Sequence, residues 1–135
     1  MRTRESGGLA LILDTNAVSA WAEHDPSALR LIEAQGFLCL PVIVLGEFRF
    51  GLRGSRKRSV LEPQLNVLEQ TVQVLEVTRE TAAVYAAVRF ELKQRGTPIP
   101  ENDVWIAALA RQHGLPVMSR DIHFDCVAGV RRVSW

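Results

Sequence analysis

The sequence predicts an α/β fold, a parallel β-sheet with helices on both faces. Three observations carry that prediction. Apolar runs of strand length alternate along the chain with longer helical segments. The first run, residues 9–13, is apolar on both faces, as a strand buried between two helical layers has to be. Helices, not tight turns, separate the first four strands, as right-handed parallel crossovers require.

The elements follow in order. Residues 9–13 form the first strand. Helical segments span about 16–23 and 26–35, the second with Pro26 in its first turn and Gly36 as its stop. Phe37 to Leu40 is a second short strand, closed by Pro41. Val42 to Gly51 is helical, with Gly54 at its end, and Ser55 is placed to cap a further helix through about Glu69. Val72 to Val77 alternates as a third strand, suited to an edge. Arg79 to Arg95 is a long helix with Ala82, Ala83, Ala86, Ala87 and Phe90 on its apolar side and Gly96 as C-terminal stop. Residues 97–100 form a loop. Glu101 to His113 is the last helix, with Gly114 after it. Val117-Met118 is a fourth strand, and Val130 to Val133 a fifth.

The 135 residues suffice for one domain with a real core, and 47% apolar content with a mean hydropathy of +0.05 suits a globular chain. Residues 1–8 lack the apolar stretch of a signal peptide and read as a flexible leader before a single domain over 9–135. No apolar run reaches the roughly 18 residues of a membrane span. Cys39 and Cys126 fit neither a disulfide framework nor a zinc spacing, which suggests a reducing cytoplasm. A net charge of +1 neither suggests nor excludes nucleic acid. The cations are 14 Arg against two Lys. Arginine suits bidentate phosphate contacts, although a GC-rich genome produces the same bias.

Four carboxylates stand where burial is expected: Asp14, Glu47, Asp103 and Asp121. Asp14 ends the first strand and Asp121 follows the fourth. Asp103 lies in the first turn of a helix that runs back antiparallel to the strands. Topology alone therefore brings these three to the carboxyl edge of the sheet, where such folds bind ligands. Glu47 shares a helical stripe with Ile43, Gly51 and, slightly rotated, Phe50, and is expected to point toward the protein with Gly46 and Gly51 leaving room beside it, while Arg49 and Arg53 form the solvated stripe. Asp103 shares its stripe with Ile106, Ala107, Ala110 and Gly114, small enough to let the helix approach the sheet. Singly, each acid has a structural role open to it: an N-cap, a dipole-favoured first-turn acid beside a capping Asn102, an ion-pair partner, a turn residue. Four isolated buried carboxylates are costly, whereas four around one cation are not. An all-oxygen set selects Mg²⁺ or Mn²⁺ over zinc.

His24, His113 and His123 lack a metal-type partner at helical spacing and are not read as ligands; His123, near Asp121, is expected to support that loop. Trp21, Trp105 and Trp135 read as core or interface residues. There is no Gly-x-x-x-x-Gly-Lys-Ser/Thr loop and no Gly-x-Ser-x-Gly elbow. A receiver domain would need its acid after the third strand, and a haloacid-dehalogenase-type phosphatase a second Asp at position 16. Carboxylates holding a divalent ion without a phosphate loop point to phosphodiester hydrolysis.

The blocks Leu11-Ile12-Leu13-Asp14-Thr15-Asn16, Pro41 to Glu47, Asn102 to Ala108 and Ser119 to Phe124 resemble, in order, those of a PIN domain. The chain is similar to VapC-type toxin ribonucleases over about residues 9–133. The resemblance implies a three-layer α/β/α sandwich around a parallel sheet, Mg²⁺ or Mn²⁺, and RNA cleavage by a metal-activated water. It also implies inhibition by a VapB-like antitoxin and homodimerisation. Asp14, Glu47, Asp103 and Asp121 would be the catalytic and metal-binding acids, with Thr15 and Asn16 supporting Asp14. Asp125, four residues after Asp121, competes as the fourth acid. The basic run Arg49, Arg53, Arg56, Lys57 and Arg58 suits RNA phosphates, or equally a solvated surface between helices. A catalytically inactive scaffold that binds RNA or protein is the alternative function, and the intact acids argue against it.

Overall fold

A computed structural model describes residues 10–135. The expected leader, and Leu9 of the first strand, lie outside the described residues. The described elements are β1 (Ala10–Leu13), α1 (Thr15–Ala22), α2 (Pro26–Glu33), β2 (Phe37–Pro41), α3 (Val42–Arg53), α4 (Arg58–Thr71), β3 (Gln73–Leu75), α5 (Arg79–Gln94), α6 (Glu101–His113), β4 (Val117–Met118), a 3₁₀ turn (Ile122–Cys126) and β5 (Arg132–Val133). All strand pairs are parallel, in the order β3-β2-β1-β4-β5. Helices flank the sheet as the expected α/β/α sandwich.

β1 is central, and its four residues are buried, as two-faced apolarity demands. The chain winds from β1 through β2 to β3 on one side, then returns to the other side of β1 as β4. The switch in strand order therefore falls between β1 and β4, the two strands that Asp14 and Ser119 follow. The backbone ladder runs past both strand ends, with Asp14 N donating to Met118 O at 3.1 Å and Ser119 N to Val133 O at 3.0 Å.

α6 is buried along Val104, Ile106, Ala107, Ala108, Leu109 and Ala110, so its alanines allow the close approach that their size suggested. Gly114 takes a left-handed φ of +65° and ends it. Gly96, at φ +70°, follows α5 in the same way. β3 is an edge strand, as expected, but only three residues long. No helix among the described residues is long and apolar enough to cross a membrane. Cys39 and Cys126 are free thiols.

Three expectations need correction. The long helix α5 buries Thr81, Val88 and Leu92, while Ala82, Ala83, Ala86 and Ala87 are exposed and Phe90 is 58% exposed. Two stripes of this helix are apolar enough to compete. Thr81 joins the buried one because its hydroxyl completes a capping box with Thr78 and donates to Gln112 at 2.6 Å. Ser55 does not cap α4; its hydroxyl accepts from Lys57 N in the preceding turn, and the helix starts at Arg58. Gly36 does not stop α2, which ends at Glu33 with Ala34 as its C-cap.

Candidate active site

Asp14 leaves β1 in an extended conformation and caps α1, its Oδ1 accepting from Thr15 N at 2.8 Å. Its Oδ2 accepts from Ser119 Oγ at 2.7 Å. The cap role and the site role thus coexist in one carboxylate. Ser119 is fully buried, and its hydroxyl is saturated. It donates to Asp14 and accepts from Asp121 N at 2.9 Å and Asn16 Nδ2 at 3.4 Å. Asn16 Oδ1 also accepts from Arg120 N at 3.3 Å. Asn16 therefore reaches Asp14 through Ser119 and braces the loop after β4. Ser119 was not singled out in the sequence; its only signal was its place directly after a buried strand.

Glu47 sits in α3, half-buried, and is held by two neutral donors. Thr15 Oγ1 donates to its Oε1 at 2.6 Å and Asn102 Nδ2 to its Oε2 at 2.8 Å. No basic partner pairs with it among the described residues. Asn102 does not cap α6. The capping position falls to Pro100, which leaves the Asn102 amide free to reach across to α3.

Asp103, in the first turn of α6, faces Asp121 and His123 across the sheet edge. His123 Nδ1 lies 3.0 Å from Asp103 Oδ2 and 2.7 Å from Asp121 Oδ1. One ligand atom from each of the three lies within 4.8 Å of the others, close enough to hold one ion. Asp121 caps the 3₁₀ turn by accepting from His123 N at 2.9 Å, and Phe124 pins that turn from a fully buried position. The helical spacing considered for the histidines does not apply in a 3₁₀ turn, so this contact had no sequence signal beyond proximity to Asp121. Asp125 is turned elsewhere. Both its oxygens bind Arg132, at 3.0 Å each, and the ion pair holds its carboxyl below the usual range.

The electrostatics match a site short of positive charge. Burial pushes the Asp103 carboxyl up to about 6, with the charges of Asp14 and Asp121 adding to it against the hydrogen bond from His123. Burial also raises Asp14, opposed by its bonds from Ser119 and Thr15 and reinforced by Glu47 and Asp121. His123 is raised in turn, chiefly by its bond to Asp103. A carboxylate-rich donor set of this kind fits a hard or borderline divalent cation.

The basic run divides. Arg49 bonds Asn66 and Glu69 of α4, and Arg58 pairs with Glu62 within α4. Arg53 and Arg56 are exposed and make no ion pair among the described residues. Lys57 lines a groove of about 370 Å³ that also touches Thr15, Glu47, Gly51 and Leu61, so it opens beside the site.

A parallel sheet with acids gathered at its switch point defines a class, and the chain belongs to it: the PIN-domain family model matches residues 11–130. Among characterised relatives, Ribonuclease VapC2 of Haemophilus influenzae is 31% identical over 134 residues, covering 94% of this chain and 98% of that one. The structure of VapBC-5 from Mycobacterium tuberculosis, a member of the VapBC family of toxin–antitoxin systems, is 28% identical. It superposes with a TM-score of 0.70 over 93% of this chain and 98% of that one. VapBC2 from Rickettsia felis, crystallised on a promoter DNA fragment, shares the fold at a TM-score of 0.87 and 22% identity, covering 94% and 99%.

Proposed function

We propose that the chain is a metal-dependent endoribonuclease, the toxin of a toxin–antitoxin pair. The observation that carries this is the convergence of Asp103 and Asp121 with Asp14 at the switch between β1 and β4, beside a Glu47 held only by neutral donors. The names of the relatives support the same reading.

Asp14, Asp103 and Asp121 would hold Mg²⁺ or Mn²⁺. Bound there, the ion supplies an acidified water and offsets the charge that builds on the phosphoryl oxygens. Glu47 would orient the attacking water or take its proton. Its two neutral donors fix the carboxylate in place without cancelling its charge. Ser119 and Thr15 each donate to one oxygen of Asp14 and so fix its carboxylate. Lys57 in the groove, with the exposed Arg53 and Arg56 near it in sequence, receives RNA phosphates. A VapB-like antitoxin neutralises the enzyme, the protein works in the cytoplasm, and it pairs with a second copy of itself.

The test is to map RNA ends after incubation with Mg²⁺ or Mn²⁺, for wild type and Asp14→Asn. New 5′ ends are expected for the wild type alone. A folded wild-type protein that makes none in either metal would favour the inactive scaffold.

A further inference from the structure

His123 places a ring nitrogen on a short side chain between the carboxylates of Asp103 and Asp121. Its backbone N–H is bound to Asp121 Oδ1, the next residue, Phe124, is fully buried, and Nδ1 touches both carboxylates. The ring nitrogen is therefore aimed before any ion arrives, and the ligand atoms of all three residues already lie within 4.8 Å of one another. Asp125, the other acid of this turn, is taken out of the donor set by Arg132.

Donor chemistry then bears on the ion. Mg²⁺ favours oxygen and holds its waters, whereas imidazole suits the transition ions, whose affinity for nitrogen rises from Mn²⁺ onward. We propose that His123 ligates the ion through Nδ1, forming with Asp103 and Asp121 a mixed nitrogen–oxygen face that makes this centre select Mn²⁺ over Mg²⁺. As a ligand the ring is neutral, with its proton on Nε2. The inference rests on the metal-dependent reading above and goes beyond it in naming the ion and a nitrogen donor.

The experiment uses the full chain loaded with Mn²⁺ and electron spin-echo spectroscopy, which detects a directly bound ¹⁴N. The wild type is expected to show nitrogen modulation, and His123→Gln, checked for folding by circular dichroism, to lose it. Calorimetric titration should give a wild type that binds Mn²⁺ at least tenfold more tightly than Mg²⁺. In His123→Gln, Mn²⁺ affinity should fall by about tenfold or more while Mg²⁺ affinity changes little. Tight Mn²⁺ binding without nitrogen modulation would overturn the ligand assignment and leave the nuclease reading standing, as would an equal loss of both ions in the variant. A wild type that binds neither ion would overturn both.

Discussion

Ser119 Oγ donates to Asp14 Oδ2 over 2.7 Å, joining two residues 105 positions apart across the boundary between β1 and β4. The bond is buried, so its loss cannot be made good by solvent. In Ser119→Ala, Asp14 loses a donor and Asp121 N loses an acceptor. We expect a cost of about 1–3 kcal/mol, read as a lower urea midpoint with an unchanged slope. Unchanged stability would mean that the site is not organised around this hydroxyl.

The pH dependence of stability without metal has a definite sign. Asp103 has a folded value of about 6 against 3.8 when unperturbed, so the native state binds more protons than the unfolded one between these values. Stability is highest below about pH 4 in this respect and declines as pH rises through 6. Raised Asp14 acts in the same direction, and raised His123 loses its contribution as pH rises through its folded value. In chelator, the urea midpoint should be higher at pH 5 than at pH 8. Asp103→Asn should flatten this trend and be at least as stable as wild type at pH 8. Adding Mn²⁺ at a hundredfold excess over Kd should stabilise the wild type by about 2.7 kcal/mol and the variant by less. Equal gains in both proteins would make Asp103 a helix-terminus acid only.

The cations near the site should separate by their partners. Arg53→Ala and Arg56→Ala should each weaken RNA binding and lower the salt slope by about 0.7, the single-strand value per phosphate contact. Arg49 is committed to Glu69 and Asn66, so Arg49→Ala should leave that slope unchanged and loosen the α3–α4 contact instead. Filter binding across a salt series distinguishes these outcomes.

An antitoxin should present a basic side chain, an arginine by preference, to Asp14, Glu47 and Asp103. A guanidinium fork matches paired carboxylates and supplies the charge that the site lacks. Crosslinking or a structure of the complex that places the antitoxin wholly away from these acids would count against this.

Much of this architecture was legible in the residues. The two-faced apolar run ending at Leu13 marked the central strand, and chain direction then brought Asp14, Asp103 and Asp121 to one edge. The face of α5 was not legible. Alanine contributes little area, and the outcome turned on a buried hydroxyl, Thr81, whose partner Gln112 lies on another helix. Nor was the contact of His123 with Asp103, because the 3₁₀ turn rotates its side chain by a period that neither helix nor strand patterns contain. Asn102 likewise resembled a cap, and only the packing of α3 beside α6 reveals that it reaches Glu47.

The strand order also sets a schedule for synthesis. A ribosome delivers β2 soon after β1, but β4 and Ser119 emerge only when most of the chain has been made. Until then one edge of β1 is open, and Asp14 waits without the hydroxyl that fixes it. In this strand order the carboxylates come together only near the end of synthesis, when β4 docks on β1 and Ser119 reaches Asp14.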